Sequence, residues 1–114
     1  MNIEDTIATL LDSATIENYP HPAPHDAGTP NVTYQLVSPA NIRTHEGYVA
    51  NRERWQLNCW AHDPNEKRTL FNTVKALFDL NQTDFELAYA ESEQDLPDAE
   101  TGLYRKILEV LIWK

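Results

Sequence analysis

The sequence predicts an α+β fold, a mixed or antiparallel β-sheet of four to five strands with two amphipathic helices packed on it. Three observations predict it. Residues 53–61 alternate, with Trp55, Leu57, Cys59 and Ala61 on one side and Arg54, Gln56, Asn58 and Trp60 on the other, the period of a half-buried strand. A helical period follows at once, since Leu70, Val74, Leu77 and Phe78 sit at i, i+4, i+7 and i+8, with Phe71 at the margin of that stripe. Further alternating runs, at 31–37 and 83–90, supply partner strands.

Taken in order, residues 2–12 form a short helix. Asn2 is its cap, and Ile3, Ile7, Leu10 and Leu11 share one face. A helix this short is marginal alone and has to pack on a sheet. Residues 19–30 hold four prolines and a glycine, which forbid regular structure and predict an extended loop. The first strand, 31–37, places Val32, Tyr34 and Leu36 on one side, and Pro39 ends it. A short strand at 42–44 and a turn or projecting loop at 45–51 around Glu46-Gly47 lead into the strand at 53–61.

The second helix, 64–80, has Asp63 as N-cap, Pro64 at its first position, where a missing N–H costs nothing, and Glu66 able to reach back. Lys67, Arg68, Asn72 and Lys75 are expected to lie away from its apolar stripe, and Asn81 to terminate it in a left-handed conformation. The strand at 83–90 is expected to put Phe85, Leu87 and Tyr89 on one face. Glu91, Glu93, Asp95, Asp98 and Glu100, around Leu96-Pro97, read as a solvated acidic loop, without the glycine turn and ligand spacing of a calcium loop. Residues 103–113 fit a helical stripe or a strand by period. Their β-branched and aromatic content, with Gly102 before them, favours a strand apolar on both sides near its end.

At 114 residues the chain is expected to form a single domain, 1–114, able to bury roughly two thirds of its unfolded surface. Its formal charge of −9 opposes general affinity for nucleic acid or anionic membrane, although an acidic wall would suit a passage that DNA slides through. Keeping a small protein soluble is sufficient reason for the charge. With one cysteine, Cys59, on the apolar face of a strand, no intrachain disulfide forms and an inert buried thiol is expected. No basic segment followed by an apolar run opens the chain, and no stretch approaches the ~20 apolar residues of a membrane span, so a soluble protein is expected.

Catalytic equipment is missing from the sequence. Three glycines build no phosphate cradle, and there is no serine elbow, paired-histidine helix motif or Cys-x-x-Cys. His21, His25 and Asp26 could be imagined on a zinc or nickel ion, but a proline-rich loop supplies no clear fourth ligand, and His45 and His62 are not placed to help. No enzyme activity, cofactor or metal is expected.

The order of elements carries a resemblance: helix, proline-rich loop, a strand opening at Pro30-Asn31-Val32-Thr33-Tyr34, the strand Trp55-Gln56-Leu57-Asn58-Cys59-Trp60-Ala61, an amphipathic helix, and a last strand opening at Thr101-Gly102-Leu103-Tyr104-Arg105. Over most of its length, in pattern, this resembles the tail-completion, or tail-terminator, proteins of long-tailed bacteriophages. The resemblance implies an α/β sandwich assembled as a homo-oligomeric ring, commonly of six subunits, that caps the tail tube where it joins the head. It also implies tail tube and head-tail connector proteins as partners, assembly in the host bacterial cytoplasm, residence in the virion, and no catalytic residues.

Candidate subunit contacts are Arg43, Tyr48, Arg52 and Trp60. The alternative for Trp60 is that the N-terminal helix of the same chain covers it. Two other functions stay open: an acidic nucleic-acid mimic occupying a basic groove through Glu91 to Glu100, and a metal-dependent enzyme using the histidines.

Overall fold

Each helix begins where the sequence places its cap. In the computed structural model, which describes residues 2–24, 27–39, 42–43, 49–50, 52–97 and 103–113, the side chain of Asn2 accepts the Asp5 N–H at 2.8 Å to open α1 (Ile3–Ser13). A Schellman closure ends it. The Ile16 N–H reaches the Leu11 carbonyl at 3.0 Å and the Thr15 N–H reaches Asp12 at 2.9 Å, with Thr15 in the left-handed region at φ 60°. Asp63 likewise accepts the Asn65 N–H at 2.7 Å at the head of α2 (Pro64–Phe78).

Between and after the helices run β1 (Asn18–Pro20), β2 (Asn31–Pro39), β3 (Ile42–Arg43), β4 (Val49–Ala50), β5 (Arg52–Ala61), β6 (Leu87–Pro97) and β7 (Tyr104–Trp113). Five of them form one mixed sheet in the order β1-β2-β5-β7-β6, with β1 parallel to β2 and the other pairs antiparallel. β5 and β7 pair without interruption from Arg52 opposite Trp113 to Ala61 opposite Tyr104. β3 and β4 pair with each other, and they keep the register that β2 and β5 adopt beyond the bulge at Val37: Pro39 stands opposite Glu53 and Ile42 opposite Ala50. The β3–β4 pair is thus in register with the β2–β5 pair.

Both helices cover one face of this sheet. Ile3, Ile7 and Leu11 of α1 and Leu70, Phe71, Val74 and Phe78 of α2 form a single core with Val32 and Tyr34 on β2, Trp55, Leu57 and Cys59 on β5, and Leu108, Val110 and Ile112 on β7. Leu57 and Leu108 oppose each other at its centre, both fully buried, each stabilising the fold by about 1.5–3 kcal/mol relative to exposure. Among the described residues the other face carries no helix.

The architecture is the predicted α+β class, and the last segment is a strand lying centrally, as its composition indicates. Several expectations are corrected. The loop expected at 19–30 begins with β1, an edge strand that tolerates Pro20 because one side of it needs no partner. The helix expected to reach residue 80 stops at Phe78, and its left-handed residue is Leu80 (φ 59°), not Asn81. Asn81 serves through its side chain, donating to the Leu77 carbonyl at 2.8 Å and accepting the N–H groups of Thr83 and Asp84.

That side-chain turn holds residues 81–84 out of the sheet, so the strand expected at 83–90 starts at Leu87 and runs through the acidic stretch to Pro97. Its parity also differs: Phe85 enters the core from the connecting segment, while Ala88 and Ala90 face the helices and Tyr89 is exposed. On α2, Lys67 is buried rather than away from the stripe, and Phe71 sits deep in the core.

Candidate functional site

Trp60 projects from the helix-free face of the sheet, so α1 does not cover it. Its indole N–H donates to the Thr33 hydroxyl at 3.1 Å, and the Arg105 guanidinium lies 5.0 Å from its ring centroid, within cation–π range. The proline-rich loop comes over the same spot, where His21, Pro22 and Pro24 with Thr33, Trp60 and Leu103 line a cavity of about 340 Å³. Trp60 is thus half-buried by its own chain.

Of the other candidate contacts, Arg43 lies in β3 and Arg52 opens β5 opposite Trp113. Tyr48 lies outside the described residues.

The rest of the helix-free face is mostly uncharged and polar. Thr33, Asn58 and Ile107 form one row across the strands, and Gln35, Gln56, Glu109 and Ser92 the next. Asn58 is fully buried at the centre of the sheet, accepting from Gln56 Nε2 at 3.0 Å. Towards the β6 start the face turns apolar, with Leu111 opposite Tyr89 and Trp113 opposite Leu87.

The acidic stretch is built into the fold. A bulge at Glu91 turns that residue onto the helix-free face, where it takes a bidentate pair from Arg54 at 2.9 and 3.2 Å. Past the bulge, Glu93 and Asp95 face α2. Lys75 bonds Glu93, Lys106 stands 3.8 Å from the same carboxylate, and Lys67 bonds Asp95 at 2.6 Å. The Lys75 hydrogen bond holds the Glu93 carboxyl below its ordinary range, and the same bond raises Lys75. Lys106 also lies 4.2 Å from the Phe71 ring centroid. Lys67 and Lys75 thereby tie α2 to the edge strand.

The solvated loop expected at 91–100 is therefore, through Pro97, a neutralised strand; Asp98 and Glu100 lie outside the described residues. Lys67 was legible in the sequence, three and four positions before Leu70 and Phe71 on the same stripe. Lys106 and Arg54 gave no such signal.

At its start the outer edge of β6 is also covered. The Ala88 N–H donates to the Asn81 carbonyl at 2.9 Å and the Ala90 N–H to Asp79 Oδ1 at 3.0 Å. Beyond the bulge no further strand lies beside β6 among the described residues, and its charged side chains guard that edge against stray pairing.

His21 meets Thr33 Oγ1 at 3.4 Å, while His25 and Asp26 lie outside the described residues. Among the described residues no three His, Cys, Asp or Glu side chains gather to hold a metal ion. Cys59 is buried, and burial pushes its thiol up to about 12, so it offers no thiolate nucleophile near neutral pH. Among the described residues no helix is long and apolar enough to cross a membrane.

No family model and no curated protein matches the sequence. Among solved structures, a chain in the virion of a native gene transfer agent particle has a similar fold, with a TM-score of 0.68 and 10% sequence identity over 93% of this chain and 84% of that one. At that identity the likeness is one of fold.

Proposed function

We propose that the fold shared with a chain of a gene transfer agent virion serves here in a phage or prophage tail, as a non-enzymatic structural protein that forms a ring, terminates the tail tube and joins it to the head. The observation that carries this reading is the structural likeness, which spans nearly the whole chain and is to a chain of a virion particle. The order of elements read from the sequence supports it independently. On this reading the partners are further copies of the chain, six in the rings the resemblance implies, with the tail tube and connector proteins at either side. Assembly belongs in the host cytoplasm and the finished protein in the virion.

The acidic-mimic reading loses ground on one observation. Glu91, Glu93 and Asp95 are each paired with a cation of their own chain, so they do not present a row of unneutralised, phosphate-like charges.

Negative-stain imaging and native mass spectrometry of the protein mixed with tail tubes test the proposal. Closed rings at tube ends are expected, and monomers alone in the presence of tubes would overturn it.

A further inference from the structure

We propose that the cavity between the first turn of α1 and the adjoining ends of β2 and β5 is a binding site for a cationic side chain, an arginine carried by a different protein.

The cavity has a volume of about 420 Å³, within the range of ligand pockets. Alternation along the strands puts Tyr34 and Leu36 of β2 and Glu53 and Trp55 of β5 on the helix side of the sheet, and all four line the cavity together with Glu4 of α1. The sheet extends past the start of the helix there, so Leu36 stays 44% exposed. The rings of Tyr34 and Trp55 form one wall, their centroids 6.5 Å apart and their planes tilted by 53°.

The polar groups converge on this space without being satisfied in it. The Trp55 indole N–H donates to Glu53 Oε1 at 2.9 Å, which holds ring and carboxylate against each other and leaves Oε2 open. Among the described residues neither Glu4 nor Glu53 takes part in an ion pair. Tyr34 is only 6% exposed, yet no hydrogen bond holds its hydroxyl among the described residues.

The sign of the field decides what fits. The start of a helix by itself favours an anion, being equivalent to about half a positive charge. Here the carboxylates outweigh it: the Tyr34 hydroxyl is raised first by burial and then by Glu4, Asp12 and Asp5, with no cation acting the other way. A guanidinium answers each feature of the cavity. It lies flat on aromatic rings, it bonds carboxylates and a hydroxyl through a fork of donors, and it keeps its charge at any working pH. Two carboxylates beside aromatic rings are too few oxygen ligands for a calcium or magnesium ion.

The chain itself is a poor source of the cation. It has nine basic residues against eighteen acidic ones. Arg54, Lys67, Lys75 and Lys106 are paired with acids of their own chain, and Arg105 lies over Trp60. Arg68, exposed on α2, is the candidate a second copy would offer. Charge complementarity therefore favours a basic partner of another kind.

Titrating acetyl-Gly-Arg-Gly-amide into the protein, with the Trp55 indole N–H followed by NMR and assigned by its loss in Trp55→Phe, tests the site. Saturable movement of that signal is expected. Affinity should fall at least tenfold for the citrulline peptide, which has the same shape without the charge, and at least tenfold in the double variant Glu4→Gln/Glu53→Gln. The citrulline comparison holds whether or not the double variant folds. No movement with the arginine peptide at millimolar concentration, or equal affinity for the citrulline peptide, would overturn the site. Self-association of the wild type that is lost both in Arg68→Gln and in the double variant would overturn the assignment to a different protein and make a second copy the donor. Such a site is independent of ring closure, so its failure would leave the ring reading standing.

Discussion

Leu80 tests the backbone reasoning most sharply, because it combines two unfavourable features: a left-handed φ of 59° and 70% exposure. An L-residue in that region gives up roughly 1–2 kcal/mol, and asparagine tolerates the conformation far better. Leu80 recovers little by burial. With under a third of its surface covered, losing its apolar contacts costs at most about 0.5–0.9 kcal/mol on the scale for full burial of a leucine. Leu80→Asn should therefore stabilise the protein by about 0.5–1 kcal/mol, or roughly 2–5 °C in Tm for a chain of this size. Leu80→Gly removes the same strain but adds about 0.5–1 kcal/mol of unfolded-state freedom, leaving it near wild type. Leu80→Val, β-branched in the same backbone, should fall below wild type. Thermal unfolding followed by circular dichroism ranks the four proteins. A Leu80→Asn midpoint below wild type, or a Leu80→Val midpoint above it, would refute the reasoning.

Cys59 should resist a thiol reagent in native buffer and react in full after denaturation, since its thiol is buried and pushed up to about 12; rapid native labelling would contradict that placement. The depressed Glu93 carboxyl contributes stability that is present above its ordinary value of 4.5 and lost as pH falls through the lower folded value, so Tm should drop on acidification. Glu93→Gln should flatten that part of the profile, and an unchanged slope would show that the Lys75 pair contributes nothing. Trp60→Ala removes an indole bonded to the buried Thr33 hydroxyl and should lower monomer stability by about 1–3 kcal/mol, so a wild-type Tm would falsify the intrachain role given to Trp60.

The elements that were legible in the sequence are those whose own side chains decide their geometry. Trp55, Leu57 and Cys59 alternate because their strand is buried on one side, and Asn2 and Asp63 cap because their side chains bond N–H groups two or three residues away. β6 was only partly legible. Its acidic half has the composition of a solvated loop, and it is a strand because Lys67 and Lys75, roughly twenty to thirty residues earlier, and Lys106, on the neighbouring strand, meet its carboxylates. The shift from an expected start at 83 to the observed Leu87 has a local cause, the bonds Asn81 makes to Thr83 and Asp84, and the offset also reversed which side chains face the core. Trp60 was correctly set apart from Trp55. What reaches it is the proline-rich loop, whose path over the helix-free face has no periodic signature.

The distribution of charge separates the two faces in a way that a total of −9 does not reveal. On the helix-free face Arg54 answers Glu91 and lies 3.9 Å from Glu109, and Arg105 stands over Trp60, so that surface is close to electrically balanced among amides and hydroxyls. On the other side the lysines of α2 and β7 are spent on Glu93 and Asp95. The acids of α1, Glu66 on α2 and those of the 84–86 segment are left without a described cation, so the excess negative charge lies on the helices and the segment beside them. A field of one sign on that side favours a basic partner there, where the same number of charges spread evenly over both faces would only aid solubility. Raising the salt concentration should therefore weaken an association made through the helix side, and leave one made through the balanced sheet face nearly unchanged.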